Sequence, residues 1–213
     1  MVTALADVNR LLDHARIRLP GALDAAVLFE MFALMNNFFQ DTNCWTQDIS
    51  FPVVSTSAVF EVNPSAFTYN IVPTYGSINQ LMWVRDDNGR PVNAGMPIPG
   101  AILLRFSPSQ AATYTARVAL TVSDPVDANG FPVFPDWVLN KYGTDILDGL
   151  LGRMMGQLAK PYTNQQLSML YAKQFRSATL QAKVEAQRQN TYRGQAWAFP
   201  QAFRVRQTRS GRG

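Results

Sequence analysis

Asp145 and Asp148 stand three residues apart in "TDILDGLLGR", just ahead of Arg153. Paired carboxylates are common equipment for general acid and base work. The same spacing near a helix start also suits a surface or interface pair facing the helix dipole. A catalytic reading needs a nucleophile and a base beside the acids. The chain offers one histidine, His14, and one cysteine, Cys44, so the common triads are nearly excluded. His14 lies in "VNRLLDHARIRL" and reads as a surface or boundary residue of a helix. Cys44 cannot form an internal disulfide, and no Cys/His spacing suits a metal. "GLLGRMMG" lacks the Lys-Ser/Thr of a phosphate loop and lies within helical text. "RDDNG" lacks the later ligands and closing Glu of a calcium loop. The expectation is a non-enzymatic protein without cofactor or metal.

The same stretch carries a different signal. Gly149, Gly152 and Gly156 fall at i, i+3 and i+7, on one face of a helix. Each glycine costs about 1 kcal/mol against alanine in a helix interior. Three on one face imply a close approach, either by the helix that follows "KPYT" or by a neighbouring subunit. Arg153 lies between them on the same turn.

The elements that must position these residues can be read in order. "ADVNRLLDHARIRL" spaces Val8, Leu11, Leu12, Ala15 and Leu19 as one helix face. Pro20 and Gly21 interrupt it. "ALDAAVLFEMFALMNNFFQ" is a second helix, apolar on most sides and so buried on more than one face, ending around Asn36, Asn37 and "QDTNC". From about 48 to 125 the texture is short β-branched and aromatic runs: "ISFPVV", "AVFEV", "FTYNIV", "QLMWVR", "AILLRF" and "YTARVALTV". Asn88-Gly89 predicts a type I′ hairpin with positive φ at both residues. In "RVALTV", Val118, Leu120 and Val122 share one face and Arg117, Ala119 and Thr121 the other. These strands predict a small antiparallel sandwich or barrel inserted between helical segments.

Pro135 and Asp136 then open a helix running to about Leu158, with Val138, Leu139, Tyr142, Ile146, Leu150 and Met154 as its stripe. Thr163 or Asn164 caps a last helix whose apolar face reads Leu167, Leu170, Tyr171, Ala178 and Ala182, with Phe175 at the centre. The fold class is therefore α+β. A helical pair occupies residues 1–42, an inserted β domain 43–130 and a helical hairpin 131–191. Residues 192–213 form an extended basic arm.

Composition adds two constraints. With 16% charged residues, the chain has less charge than an average domain, and its 13 Phe and 4 Trp suggest that much surface is buried, as in an oligomer. The net +4 divides unevenly: residues from 149 onward carry +10 and those before them −6. That asymmetry points to an acidic partner surface or nucleic acid for the C-terminal part. The start, "MVTALADVNRLLDHAR", lacks the basic region and apolar run of a signal peptide, and no apolar stretch is long enough to cross a membrane. The expected site of synthesis is a reducing cytoplasm.

The stretch "FPDWVLNKYGTDILDGLLGRMMGQLAKPYTNQQLSMLYAKQFRSATLQAKVEAQR" resembles the C-terminal helical hairpin of the head-to-tail adaptor proteins of tailed bacteriophages, also called neck or tail-tubular proteins. The similarity rests on Pro135, Asp136, Ile146, Gly149, Arg153, Met154, Lys160, Pro161, Tyr162, Tyr171 and Phe175, over about residues 130–190. Tyr162 stands where tryptophan is commoner. The resemblance implies a four-helix core interrupted by a β domain. It also implies a dodecameric ring in the neck of the virion, between the portal protein and a downstream tail or nozzle protein. Double-stranded DNA would pass through the ring without sequence readout. In that setting the arm grips the portal, through Arg193, Trp197, Phe199, Phe203, Arg204, Arg206 and Arg209. Gly149, Gly152, Arg153 and Gly156 would serve helix packing or the ring interface.

Two other readings use the same residues. Arginines interleaved with Tyr192, Trp197, Phe199 and Phe203 also suit nucleic acid. Trp83, Tyr69, Tyr75 and Phe67 could form an aromatic platform for a receptor or carbohydrate, although core packing explains them as well. In a ring, the loops "VPTYGSINQ" and "NAGMPIPGA" would meet the next tail component.

Overall fold

The computed structural model describes residues 7–54, 68–105, 108, 110–122 and 133–190. The described chain is α+β, with four helices and two antiparallel sheets. Helices α1 (Asn9–Arg18) and α2 (Asp24–Thr42) precede the strands, and α3 (Asp136–Met155) and α4 (Gln165–Asn190) follow them. The strands are β1 (Thr46–Val53), β2 (Thr68–Asn70), β3 (Ser77–Arg85), β4 (Pro91–Val92), β5 (Ala94–Ile98), β6 (Ala101–Leu104) and β7 (Ala112–Thr121). One sheet has the order β1-β7-β3-β4 and the other β2-β6-β5. The described strands thus form two open sheets and not a closed barrel. The run "AVFEV" lies outside the described residues.

α1 forms as its spacing dictates, with Val8, Leu11, Leu12, Ala15 and Leu19 all buried. α2 is buried along Val27, Met31, Leu34, Met35, Phe38 and Phe39, and touches α1, α3, α4 and β7. Burying each such side chain contributes about 1.5–3 kcal/mol. Asn36 and Asn37 do not end this helix, but the "QDTNC" stretch does. It runs on to Thr42 and stops where Asn43 takes a left-handed conformation (φ 51°). The Asn43 side chain then reaches β3, donating to Gln80 Oε1 at 3.2 Å and accepting from Asn79 Nδ2 at 3.0 Å.

Helices and strands meet at a dense junction. The Phe39 ring lies 5.3 Å from Trp45 and 6.3 Å from Phe134. The Thr121 hydroxyl is bonded to the Asn36 side chain. Gly76 (φ +74°) lets β3 begin hard against this corner, because a Cβ there would lie 2.5 Å from the Thr121 carbonyl oxygen and 2.7 Å from the Trp45 ring. For the same reason β7 does not alternate simply. Val118, Leu120 and Val122 are buried as expected, but Ala119 and Thr121 are covered too, while Arg117 stays half-exposed.

Two further expectations change. "NAGMPIPGA" is not a free loop, since β5 runs through it and pairs with β6. The Asn88-Gly89 turn is not type I′, since Gly89 (φ +76°) has positive φ and Asn88 does not. The Asp86 carboxylate instead accepts from the backbone N–H groups of Asn88 (3.0 Å) and Arg90 (2.6 Å), which holds a longer turn.

Candidate functional site

α3 and α4 form an antiparallel hairpin through a short, well-bonded turn. α3 ends at Met155, earlier than Leu158, so Gly156 is the C-cap and not a helix-interior residue. Pro135 is the N-cap in an extended conformation, and Asp136 follows in the first turn without a capping bond. Thr163 Oγ1 donates to the Gln157 carbonyl at 2.6 Å and accepts from Lys160 N–H at 3.0 Å. Asn164, not Thr163, caps α4: its Oδ1 accepts from Leu167 N–H at 3.1 Å. Tyr162 is buried and donates to Gln157 Oε1 at 3.2 Å.

Of the two partners the glycines left open, α4 of the same chain covers the face. A Cβ at Gly149 would stand 2.7 Å from Phe175 Cδ2 and 2.9 Å from Leu34 Cδ2. At Gly152 it would meet backbone, with Ala172 N at 3.0 Å and Ser168 O at 3.4 Å. At Gly156 it would be 2.9 Å from Ser168 Oγ. Ser168 Oγ also donates to the Gly152 carbonyl at 2.7 Å, tying the helices where they approach most closely. The sequence reading missed Ser168, whose signal was a small polar residue opposite a glycine.

The contact face of α4 is turned from the one expected. Tyr171, Phe175, Ala178 and Ala182 do turn inward, joined by Ser168 and Ala186. Leu167 and Leu170 do not: they are 37% and 50% exposed. Met169, Leu180 and Val184 are also exposed. The small Ser168 sits where the backbones meet at Gly152, and the Phe175 ring fills the space that Gly149 leaves.

Beside the hairpin, α2, α3 and α4 enclose a mostly apolar groove of about 560 Å3. Leu34 and Phe38 of α2, Gly149 and Gly152 of α3, and Phe175 and Leu180 of α4 line it. Arg153, Arg176 and Lys183 stand around it, with one acid, Asp41. Arg153 is held 3.7 Å from Glu30. The groove and its cations were not legible in the sequence, because they are drawn from three helices far apart in the chain.

The acids of the opening motif have no hydrogen-bond or ion-pair partner among the described residues. Burial raises the Asp145 carboxyl above the usual aspartate range. Burial also raises Asp148, against the pull of Arg18 and with a push from Asp145. Lys141 and Glu185 pair nearby, linking α3 to α4.

The remaining candidates do not gather into one site, although His14 lies against α3 and Cys44 near the Lys141–Glu185 pair. His14 is exposed beside Arg10 and Arg18, at a shallow depression against Leu139. Burial pushes the Cys44 thiol up to about 11, which makes it a poor nucleophile near neutral pH. Among the described residues no three His, Cys, Asp or Glu side chains gather as a metal site, and no helix is long and apolar enough to cross a membrane. Among the described residues, Trp83, Tyr69 and Tyr75 do not assemble into one platform. Trp83 carries Arg85 and Arg117 over its ring at 4.2 and 4.8 Å, and Arg117 is held bidentately by Asp48. Tyr69 lies on the other sheet, 5.4 Å from Phe51, and Tyr75 packs against the core. Phe67 lies outside the described residues, as do Arg193, Trp197, Phe199, Phe203, Arg204, Arg206 and Arg209. Compared with known proteins, the chain matches no family model, and no curated protein aligns with it significantly.

Proposed function

We propose that this chain is a structural virion protein, the subunit of a head-to-tail adaptor ring that joins a portal to a tail and prolongs the DNA channel. One observation carries the reading. α1 and α2 pack with the α3–α4 hairpin into one helical core although all seven described strands lie between them in sequence. That is the interrupted bundle implied by the resemblance of residues 130–190. The glycine-faced hairpin at the centre of that resemblance is also the most closely packed pair of helices in the core.

In this reading the two sheets form a sandwich that faces the next tail component. Residues 192–213 are an extended arm whose arginines and aromatics dock on the portal, since both residue types anchor protein interfaces. The ring is dodecameric, and DNA passes through it without sequence readout. The chain acts by binding and not by catalysis.

The test is co-sedimentation of the purified protein with candidate portal rings at low and high salt, beside a DNA-only lane. Saturable binding to a portal is expected. Binding to DNA alone, with affinity falling steeply as salt rises, would replace the adaptor with a nucleic-acid-binding protein that uses its basic arm.

A further inference from the structure

We infer that the groove between α2 and α4 receives an amphipathic helix of another protein, about three turns long, with carboxylates along one edge of its apolar stripe. The site stands apart from the adaptor reading and needs neither a ring nor a portal.

Its shape suits a helix. Leu34 and Phe38 of α2 and Phe175 and Leu180 of α4 supply the apolar surface, and Gly149 and Gly152 line it without side chains of their own. Along α4 the groove runs from Ala172 to Lys183, about 16 Å at the helical rise. A docked helix fills such a length with apolar side chains at i, i+4, i+7 and i+11. Leu180 is 59% exposed, so its apolar area is gained only when something covers that wall.

Charge decides the edge. Arg153, Arg176 and Lys183 line the groove against one acid, Asp41. Arg153 is already held by Glu30 at 3.7 Å. Arg176 and Lys183 have no ion-pair partner among the described residues. With Glu30 and Asp41 both counted, the walls keep a net positive charge, and these two cations of α4 carry it. They stand seven residues apart, about 10 Å along one side of the helix, so carboxylates seven residues apart on the docked helix meet both. The α2 wall offers Asn37 and Asp41 and no cation, so the opposite edge of the docked helix is uncharged. Beyond the groove, α4 adds Lys173 and Arg188, while its single acid, Glu185, is taken by Lys141. The surrounding field therefore also favours an acidic partner.

Other occupants fit less well. The chain's own arm, residues 192–213, has five arginines and no acid, and would bring like charges together. Nucleic acid would match the cations but would leave the apolar walls without a partner.

Fluorescence anisotropy on the full chain tests this with a labelled, end-capped peptide of about twelve residues. It has leucine at i, i+4, i+7 and i+11, glutamate at i+3 and i+10, and alanine and glutamine elsewhere. Saturable binding is expected. Moving the glutamates to the outer side, at i+2 and i+9, should weaken it about tenfold although the net charge is the same. Lysine in place of both glutamates should abolish it. On the protein, Arg176→Gln with Lys183→Gln should also weaken binding about tenfold. Leu180→Glu, a change at an exposed position, should abolish it. Arg188→Gln, on the side of α4 turned from the groove, should leave it unchanged.

A first peptide that does not bind, a lysine peptide that binds equally, or a Leu180→Glu chain that binds as the native chain does overturns the inference. Displacement of the peptide by duplex DNA would give the groove to nucleic acid. Tighter binding by a Trp197→Ala chain would give it to the arm. Self-association in analytical ultracentrifugation that Leu180→Glu removes would give it to a second copy.

Discussion

The Phe175 ring lies directly over Gly149, with Cδ2 only 2.7 Å from where a side chain would begin. Alanine at 149 gains helix propensity worth about 1 kcal/mol. It also drives a methyl group into an aromatic ring packed against Phe38 at 6.0 Å, an overpacking worth about 1–3 kcal/mol. Gly149→Ala is therefore expected to lower stability in urea unfolding. Phe175→Leu should recover part of the loss when combined with it, so the two changes should be non-additive. A stabilised Gly149→Ala would show that the ring moves aside freely.

Gly152 offers no such escape. Its neighbours are the Ala172 and Ser168 backbones, which cannot turn away as a side chain can. Gly152→Leu must part α3 from α4 and break the Ser168 bond to the Gly152 carbonyl. A loss of roughly 3 kcal/mol or more is expected, read as a collapsed melting transition or insoluble protein. Unchanged stability and assembly would remove the close approach as the reason for the glycine stripe.

Asp145 and Asp148 make stability depend on pH. Burial raises both carboxyl groups, so the folded chain holds their protons to a higher pH than the unfolded chain, whose aspartates titrate at about 3.9. Below that range both forms are protonated and nothing is lost. As pH climbs through the folded-state values, the unfolded chain ionises more readily and stability falls. Asp145→Asn and Asp148→Asn should therefore raise the melting temperature of the isolated chain at neutral pH and leave it unchanged near pH 3, to within about a degree. Equal effects at both pH values would remove the electrostatic cause.

Cys44 should be protected by the fold. With its thiol pushed up to about 11, the native protein should react with a disulfide reagent near neutral pH on the order of 100-fold more slowly than the same chain in urea. Equal rates would mean that the junction around Thr42 and Asn43 opens readily.

The arm carries its own prediction. Removing residues 193–213 should leave the melting temperature within a few degrees of the intact chain and abolish portal attachment. Full attachment of the shortened chain would reject a docking role for Trp197, Phe199, Phe203 and the neighbouring arginines.

Local chemistry made much of this fold legible. The α1 stripe, the α3 stripe and most strands followed from spacing alone, because their apolar residues recur at the period of the element. The errors arose where distant elements decide. Leu167 and Leu170 looked like the inner face of α4, yet the contact with Gly149, Gly152 and Gly156 turns Ser168 and Phe175 inward instead. β5 was hidden in "NAGMPIPGA", where two prolines and two glycines mask a strand that exists by pairing with β6. At Asn88-Gly89 the dipeptide marked a turn, but the Asp86 carboxylate selected its type.

The interrupted core also sets the order in which the chain can mature. α2 presents Leu34 and Phe38 to α3, yet roughly ninety residues separate the end of one helix from the start of the other. At about 5–20 residues per second, the ribosome needs about 5–20 s to bridge that gap. During that time a strongly apolar helix waits without its partner while the strands emerge. Completion of the helical core is thus deferred until the hairpin arrives, and translation speed and chaperone supply, as much as final stability, should govern how many soluble subunits a cell accumulates.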